Sequence, residues 1–241
     1  MKINIILPIA GLGQRFADGG FETPKPLIEV DGKYLVEKSL DSLDTTDSNL
    51  IFVVRQEHID LFSIDTKLKG TFGEDIEIIS VDYTTEGALC TCLLAKDLVD
   101  NDAPLAIFTP DCYFEPHINV RDISEEYDGL VCTFKSQSAA HSYVTLDENN
   151  FVTRAVEKEV ISDSAVGGFY YFKTGALFVK YAERLVEQSL RSKGEFYICP
   201  IYNLLLDDGL KIGVDENTKH LILGTPQDLL RYETEAENFY E

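Results

Sequence analysis

The chain has 241 residues, 44% hydrophobic and 26% charged, with a formal net charge of -21. That length suits one large α/β domain or two small ones, and it allows a sizeable core. The acidic balance excludes a generic basic surface for nucleic acid or an anionic membrane, so an anionic substrate must be drawn in by local cations. No stretch approaches the roughly 18 apolar residues of a membrane span. The apolar run after Lys2 is broken by Pro8, Gly11 and Gly13, which does not suit a signal peptide. Cys90, Cys92, Cys112, Cys132 and Cys199 are odd in number and show no paired CxxC spacing. They read as reduced thiols of a cytoplasmic protein.

In chain order, residues 3–7 read as a buried strand. It runs into Leu7-Pro8-Ile9-Ala10-Gly11-Leu12-Gly13-Gln14-Arg15-Phe16, followed by Thr23-Pro24-Lys25-Pro26-Leu27. Glycines let backbone N–H groups approach phosphate oxygens closely. Arg15 can pair with two oxygens at once, and Lys25 supplies a point charge from a segment stiffened by its flanking prolines. There is no GxxxxGK[ST], which excludes a P-loop, and Phe16 stands where a dinucleotide fingerprint needs its third glycine. Beyond this loop, residues 34–43, 57–64 and 87–98 have helical spacing, and residues 50–54, 76–81 and 105–108 are strand-like.

Strands alternating with helices argue for a mostly parallel sheet covered on both faces. Ligands of such sheets sit at the carboxyl ends of the strands. The Gly11 loop and Asp111 both follow such ends. A carboxylate directly after a buried strand either forms a turn with Pro110 or holds Mg²⁺. Thr84-Thr85-Glu86-Gly87 introduces the helix at 87–98, whose first N–H groups are expected to be free and whose cap is expected to be Thr85 or Thr84.

In the second half, residues 130–134, 142–146, 151–156, 166–172 and 211–214 are strand-like, and Asp147-Glu148-Asn149-Asn150 reads as a hairpin turn. Residues 176–188 and 197–206 are helical, and Thr225 caps a last helix with Pro226 first and Asp228 in its first turn. His58, His117, His141 and His220 are isolated and read as structural or surface groups. No repeat or linker is visible, which implies one domain, 1–241, with a change of character near residue 115.

The string G-x-G-x-R-F, seven residues, then P-K-P-L resembles the signature of the sugar-phosphate nucleotidyltransferases, the NDP-sugar pyrophosphorylases. The resemblance implies a three-layer α/β/α fold with a mixed, mostly parallel sheet, Rossmann-like and of the GT-A type. It implies transfer of NMP from an NTP to a phosphorylated acceptor, a sugar 1-phosphate foremost, with release of pyrophosphate. Residues 1–115 would then be the nucleotide half and 116–241 the acceptor half. By the same resemblance Ala10, Gly11, Gly13, Thr85 and Gly87 bind the nucleotide, Arg15, Lys25 and Asp111 are catalytic, and Asp111 holds Mg²⁺. Glu157-Lys158 with Gly167-Gly168-Phe169-Tyr170 resembles the family's EK…GxY segment, which assigns Glu157, Lys158 and Gly168 to the acceptor. Glu195, in Gly194-Glu195-Phe196-Tyr197, is assigned there too. The implied partners are an NTP, a small phosphorylated acceptor and a second copy of the chain, with neither nucleic acid nor membrane.

One position departs from the pattern. Leu223-Gly224-Thr225-Pro226-Gln227-Asp228-Leu229 resembles the family's D-x-GTPxDL, but Ile222 stands where better-known members carry an aspartate that is a second Mg²⁺ ligand. Two alternatives stay open. One is cytidylyl-type transfer to a non-sugar phosphate, such as phosphocholine or a phosphorylated amino-acid derivative. The other is a nucleotide-sugar-binding regulator that has lost catalysis. A glycosyltransferase of the same general fold would not carry the glycine and lysine string.

Overall fold

Residues 2–217 and 219–239 are described by the computed structural model of the chain. The first apolar run forms β1 (Ile3–Pro8). A short hairpin, β2 (Glu29–Val30) and β3 (Lys33–Tyr34), precedes β4 (Ser48–Arg55), β5 (Glu77–Val81) and β6 (Leu105–Phe108). Then come β7 (Cys112–Glu115), β8 (Gly129–Lys135), β9 (Ser142–Leu146) and β10 (Val152–Glu157). The last strands are β11 (Ser164–Phe172), β12 (Ile212–Glu216) and β13 (Lys219–Ile222).

Among the described residues, nine of these strands form one mixed sheet. Its first part runs β6-β1-β4-β5, and every pairing in it is parallel. The carboxyl ends of four strands therefore share one rim. β11 lies antiparallel to β6 and to β8 and joins the second half of the chain to the first. β9 and β10 extend that side as a hairpin, and β12 adds to β8 in parallel. In the hairpin turn, the Asp147 carboxylate accepts from the backbone N–H groups of Asn149 and Phe151.

Alternate residues of the parallel strands enter two separate cores. Ile6, Ile51, Val53, Leu105 and Ile107 pack on one face, while Ile5, Leu7, Phe52, Val54, Ala106 and Phe108 pack on the other. Burial on both faces is why these strands appear as unbroken apolar runs. The amphipathic helix Gly175–Glu187 starts at Thr174, whose hydroxyl accepts from the Leu177 N–H, and covers the first core.

The helices differ from expectation in three places, the first being that the one expected at 197–206 is Ile201–Asp207, entered through Pro200. The segment 87–98 is two helices, Ala88–Leu93 and Lys96–Val99. Leu89 is fully buried, but Leu98 is 42% exposed instead of lying on the same apolar face. Residues 88–95 are apolar on nearly every side, so no period marks the break. The weak helix at 57–64 is Gln56–Phe62, and a second helix, Ile64–Phe72, follows it. Ser63, at φ 51°, turns the chain between the two.

β7 and β13 pair as a separate antiparallel ribbon that sequence reading missed. The ribbon half-buries His220. Its ring stacks against Phe134, with centroids 3.9 Å apart, and against Phe114 at 6.1 Å. A side-chain carbon on Gly167 would come within 2.6 Å of the His220 ring, so the missing side chain there makes its room. Burial drives the His220 pKa down to about 4, against a weaker opposing pull from Asp111. The unfolded imidazole takes up a proton below about 6.5, whereas the folded one resists until about 4. The stability present above pH 6.5 should therefore be lost as the pH falls toward 4, by on the order of 3 kcal/mol from this residue. Urea unfolding of the protein and of His220→Gln across that range measures it. Parallel curves for the two would remove the assignment.

Candidate active site

The rim of the parallel strands carries the loop after β1. Arg55, at the end of neighbouring β4, is only 11% exposed and donates from Nη1 to the Ala10 carbonyl at 3.4 Å. Ala10 itself is 7% exposed and packs into the core beneath the loop. Gly13 adopts φ 63° and leads into the short helix Gln14–Asp18, its carbonyl accepting from the Phe16 N–H at 2.9 Å. Gly13 is thus required by its own backbone. Gly11 is different: its φ is ordinary, and a side-chain carbon there would meet no protein atom within 4 Å.

Lys25 opens a 3-10 turn between Pro24 and Pro26. Its Nζ lies 3.5 Å from Asp111 Oδ2 and 6.0 Å from the centre of the Phe16 ring. Asp111 ends the turn after β6, with its N–H on the Thr109 carbonyl at 2.8 Å. The Asp111 carbonyl accepts from the Leu223 N–H at 2.7 Å, which fastens the Gly224 segment against it. A cleft of about 400 Å³ results, lined by Gly11, Gly13, Arg15, Lys25, Asp111 and Gly224 among others. Five residues selected from the sequence as phosphate and metal groups therefore share one cavity.

Thr85 and Gly87 do not line this cleft. The Thr85 hydroxyl is shared with Thr91 at 2.7 Å and reaches the Gly87 carbonyl at 3.1 Å, so it is not a helix cap. The Leu89 N–H, expected to be free, donates to the Phe196 carbonyl at 3.1 Å. Gly87 has φ 135°, and a side-chain carbon on it would fall 2.3 Å from that same carbonyl oxygen. The glycine here is explained by packing of the 194–197 segment onto the helix start.

Glu157 ends β10, Lys158 follows it, and both belong to a second cluster. Glu157 is 8% exposed and accepts a short hydrogen bond from the Ser142 hydroxyl. Burial pushes its carboxyl pKa upward, and the Ser142 bond pulls the other way. Lys158 has φ 55°, an uncommon conformation for a residue with a side chain. Its N–H donates to the His141 carbonyl at 3.0 Å. Its ammonium donates to the Tyr197 hydroxyl and lies 4.4 Å from the centre of that ring. Glu195 acts electrostatically on both Glu157 and Tyr197. Buried Tyr170 feels both Glu157 and Asp111, which relates this cluster to the cleft. Gly168, at φ 79°, accepts through its carbonyl from the Thr109 N–H at 2.9 Å, and any side chain on it would strike the Thr109 hydroxyl. It shapes the Asp111 turn from behind.

Gln14, Arg55, Thr109, Ser142 and Tyr197 were not singled out by sequence. The strand-end rule that found Asp111 applies equally to Arg55. Ser142 carries no local signal, and Tyr197 stood only as a neighbour of Glu195, because the partners of both are distant in sequence. Ile222 packs against the cluster of Phe134, Tyr143 and Ala165 and offers no donor. Among the described residues, no three His, Cys, Asp or Glu side chains converge as a ready-made metal cage.

A family model described as nucleotidyl transferase matches residues 3–236. The bifunctional protein GlmU of Methanocaldococcus jannaschii is 23% identical over 232 residues, covering 95% of this chain and 53% of that protein. The chain spans about half the length of the curated relatives it matches. The solved nucleoside-diphosphate-sugar pyrophosphorylase from Vibrio cholerae RC9 superposes with a TM-score of 0.83 at 25% identity, covering 95% of this chain and 98% of that one. The inositol-1-phosphate CTP transferase from T. maritima has the same fold, with a TM-score of 0.75 at 18% identity, over 97% of this chain and 94% of its own. No helix among the described residues is long and apolar enough to cross a membrane.

Proposed function

Because this chain belongs to the nucleotidyl transferase family, we propose that it transfers NMP from an NTP to a phosphorylated acceptor, a sugar 1-phosphate foremost, releasing pyrophosphate. The observation that carries this reading is the convergence of Arg15, Lys25 and Asp111 on the cleft lined by Gly11 and Gly13. The family generally uses a divalent metal. The donor chemistry here fits one: Asp111 is a carboxylate, 46% exposed, on a cleft with room for phosphates. We assign Mg²⁺ to Asp111, where it would neutralise phosphate charge.

The remaining work falls to the chain's own groups. An acceptor phosphate is largely ionised near neutral pH, its second pKa being about 6 as in phosphoserine. No protein nucleophile or base is needed. The obstacle is repulsion between two anions, which fixed cations and positioning reduce. Lys25 supplies charge beside Asp111, and Arg15 grips the triphosphate. Ala10, Gly11 and Gly13 present backbone to the nucleotide, whereas Thr85 and Gly87, assigned to it by resemblance, stand outside the cleft. Glu157 takes acceptor hydroxyls, Lys158 takes the acceptor phosphate, and Gly168 and Glu195 complete that wall. Residues 1–115 then serve the nucleotide and 116–241 the acceptor, within one domain.

Lys158 also bears on the acceptor class. The Tyr197 face already carries an ammonium at 4.4 Å. A trimethylammonium acceptor of the phosphocholine type would compete with that charge for the ring, so the arrangement favours a hydroxyl-bearing acceptor. A matrix of four NTPs against sugar 1-phosphates, polyol phosphates and phosphocholine, scored by pyrophosphate, tests the reading. Release with one NTP and a hydroxyl-bearing acceptor is expected. No release with any pair in Mg²⁺ would make the chain a regulator.

A further inference from the structure

A second cavity, of about 240 Å³, lies between the loop that follows β1 and the helix Gln56–Phe62. Arg15 and Asp111 take no part in its lining. Its apolar wall is Phe16, Phe21, Leu61 and Phe62. Eight large apolar side chains are exposed among the described residues, and three of them, Leu12 at 56%, Phe21 at 37% and Leu61 at 67%, line this one cavity. Apolar surface gathered in a concave place, with a few polar groups among it, is the usual make-up of a ligand site.

The polar groups are present and lack partners. His58 is 7% exposed, and its Nδ1 is buried without a hydrogen bond. Burial, and then the charge of Arg55, lowers the pKa of this imidazole. Arg55 is 11% exposed and donates from Nη1 to the Ala10 carbonyl, but its Nε is buried without a hydrogen bond. Glu57 Oε2 lies 4.0 Å from that Nε, and Glu57 is 64% exposed, so water screens most of its charge. Folded proteins rarely leave such buried donors unpaired, and a ligand that completes them is one reason to do so.

We propose that this cavity is an effector site for a small organic acid, with a ring-sized apolar body on Phe21 and Leu61 and a carboxylate or phosphate head on Arg55 and His58. The cavity and the cleft share Leu12, Gly13, Phe16 and Lys25 as a common wall. An anion on Arg55 competes with the Ala10 carbonyl for the guanidinium and draws on the charge of Lys25. Occupancy therefore weakens NTP binding. That effect rests on the nucleotidyl-transfer reading; occupancy of the cavity does not.

Phenyl phosphate and benzoate are the probes, with phenol and inorganic phosphate as body and head alone. Amide NMR of the unaltered protein should show saturable shifts at residues 21–23 and 58–62 with one or both probes, the tighter naming the head group. Phenol and inorganic phosphate should leave that region unmoved at the same concentrations. Leu61→Glu sets a negative charge at an exposed position and should weaken probe binding by roughly tenfold or more. His58→Leu, which removes the imidazole, should weaken it in the same direction. By calorimetry, saturating probe should raise the Kd for NTP about fivefold or more in the unaltered protein. Leu61→Glu should bind NTP normally and show no such rise. Shifts confined to residues 11–15 and 111 would put the probes in the cleft and overturn the proposal, as would undiminished probe binding in both variants. An equal rise in Kd in Leu61→Glu would make the probe a plain competitor of NTP and overturn the effector role. No NTP binding by the unaltered protein would sink the nucleotidyl-transfer reading and the effect on NTP with it, while the amide shifts would still decide the occupancy.

Discussion

Lys25→Ala should lose turnover by about 10²–10³-fold, the usual cost of removing one fixed group that stabilises transition-state charge. The fold should hardly notice. Lys25 is 21% exposed, and its partner Asp111 is 46% exposed, so water can replace the ammonium around the remaining carboxylate. An ion pair this exposed is worth about 0–1 kcal/mol. The substitution leaves Pro24 and Pro26 to hold the turn. Lys25→Arg should recover only part of the activity, because a planar fork does not place its charge where a compact ammonium stood. Pyrophosphate release and thermal unfolding, measured on the same preparations, separate the two effects. Full turnover in Lys25→Ala would remove Lys25 from the chemistry. A loss of activity matched by a large fall in melting temperature would make its role structural.

The parts of this site visible in sequence are those encoded by neighbours. A buried parallel strand must be apolar on both faces, so β1 and β6 stand out, and whatever polar group follows them lies on the ligand-bearing rim. The Gly11 loop and Asp111 were reached in that way, Gly13, Arg15 and Lys25 came with the phosphate-loop string, and the five share a cleft. The second cluster was half legible. Glu157 and Lys158 could be picked out, but Ser142 and Tyr197 could not, since the hydrogen bonds that join them span 15 and 39 residues. The ribbon of β7 and β13 was invisible for the same reason, as Cys112 finds its partner in Ile222. With the ribbon hidden, His220 looked isolated, although it sits in an aromatic stack whose space is set by Gly167. The helix at 87–98 failed differently: its residues are too uniformly apolar for periodicity to show where it breaks.

Glycines expose the deeper ambiguity, because a sequence cannot say whether a glycine makes room for a ligand or for the chain itself. Gly11 and Gly87 were both assigned to the nucleotide, yet their replacement by alanine should have opposite consequences. In Gly87→Ala the new carbon would fall 2.3 Å from the Phe196 carbonyl oxygen at φ 135°. That oxygen cannot retreat cheaply, since it accepts from the Leu89 N–H and the Phe196 N–H donates to the Glu86 carbonyl at 2.8 Å. A collision with tethered backbone, added to a strained φ, should cost about 3 kcal/mol or more. For a chain of this size that lowers the melting temperature by roughly 6–12 °C. In Gly11→Ala the new carbon meets no protein atom within 4 Å and needs no unusual φ. Its melting temperature should hold to within about 2 °C, since the folded chain gives the methyl group space. The methyl would project into the space where backbone must approach phosphate, so KM for the NTP should rise by on the order of tenfold. Differential scanning calorimetry paired with NTP titrations measures both. If Gly87→Ala kept its stability and lost only nucleotide affinity, the 194–197 segment would not be what requires that glycine. If Gly11→Ala bound NTP normally, the phosphates would have to lie elsewhere in the cleft.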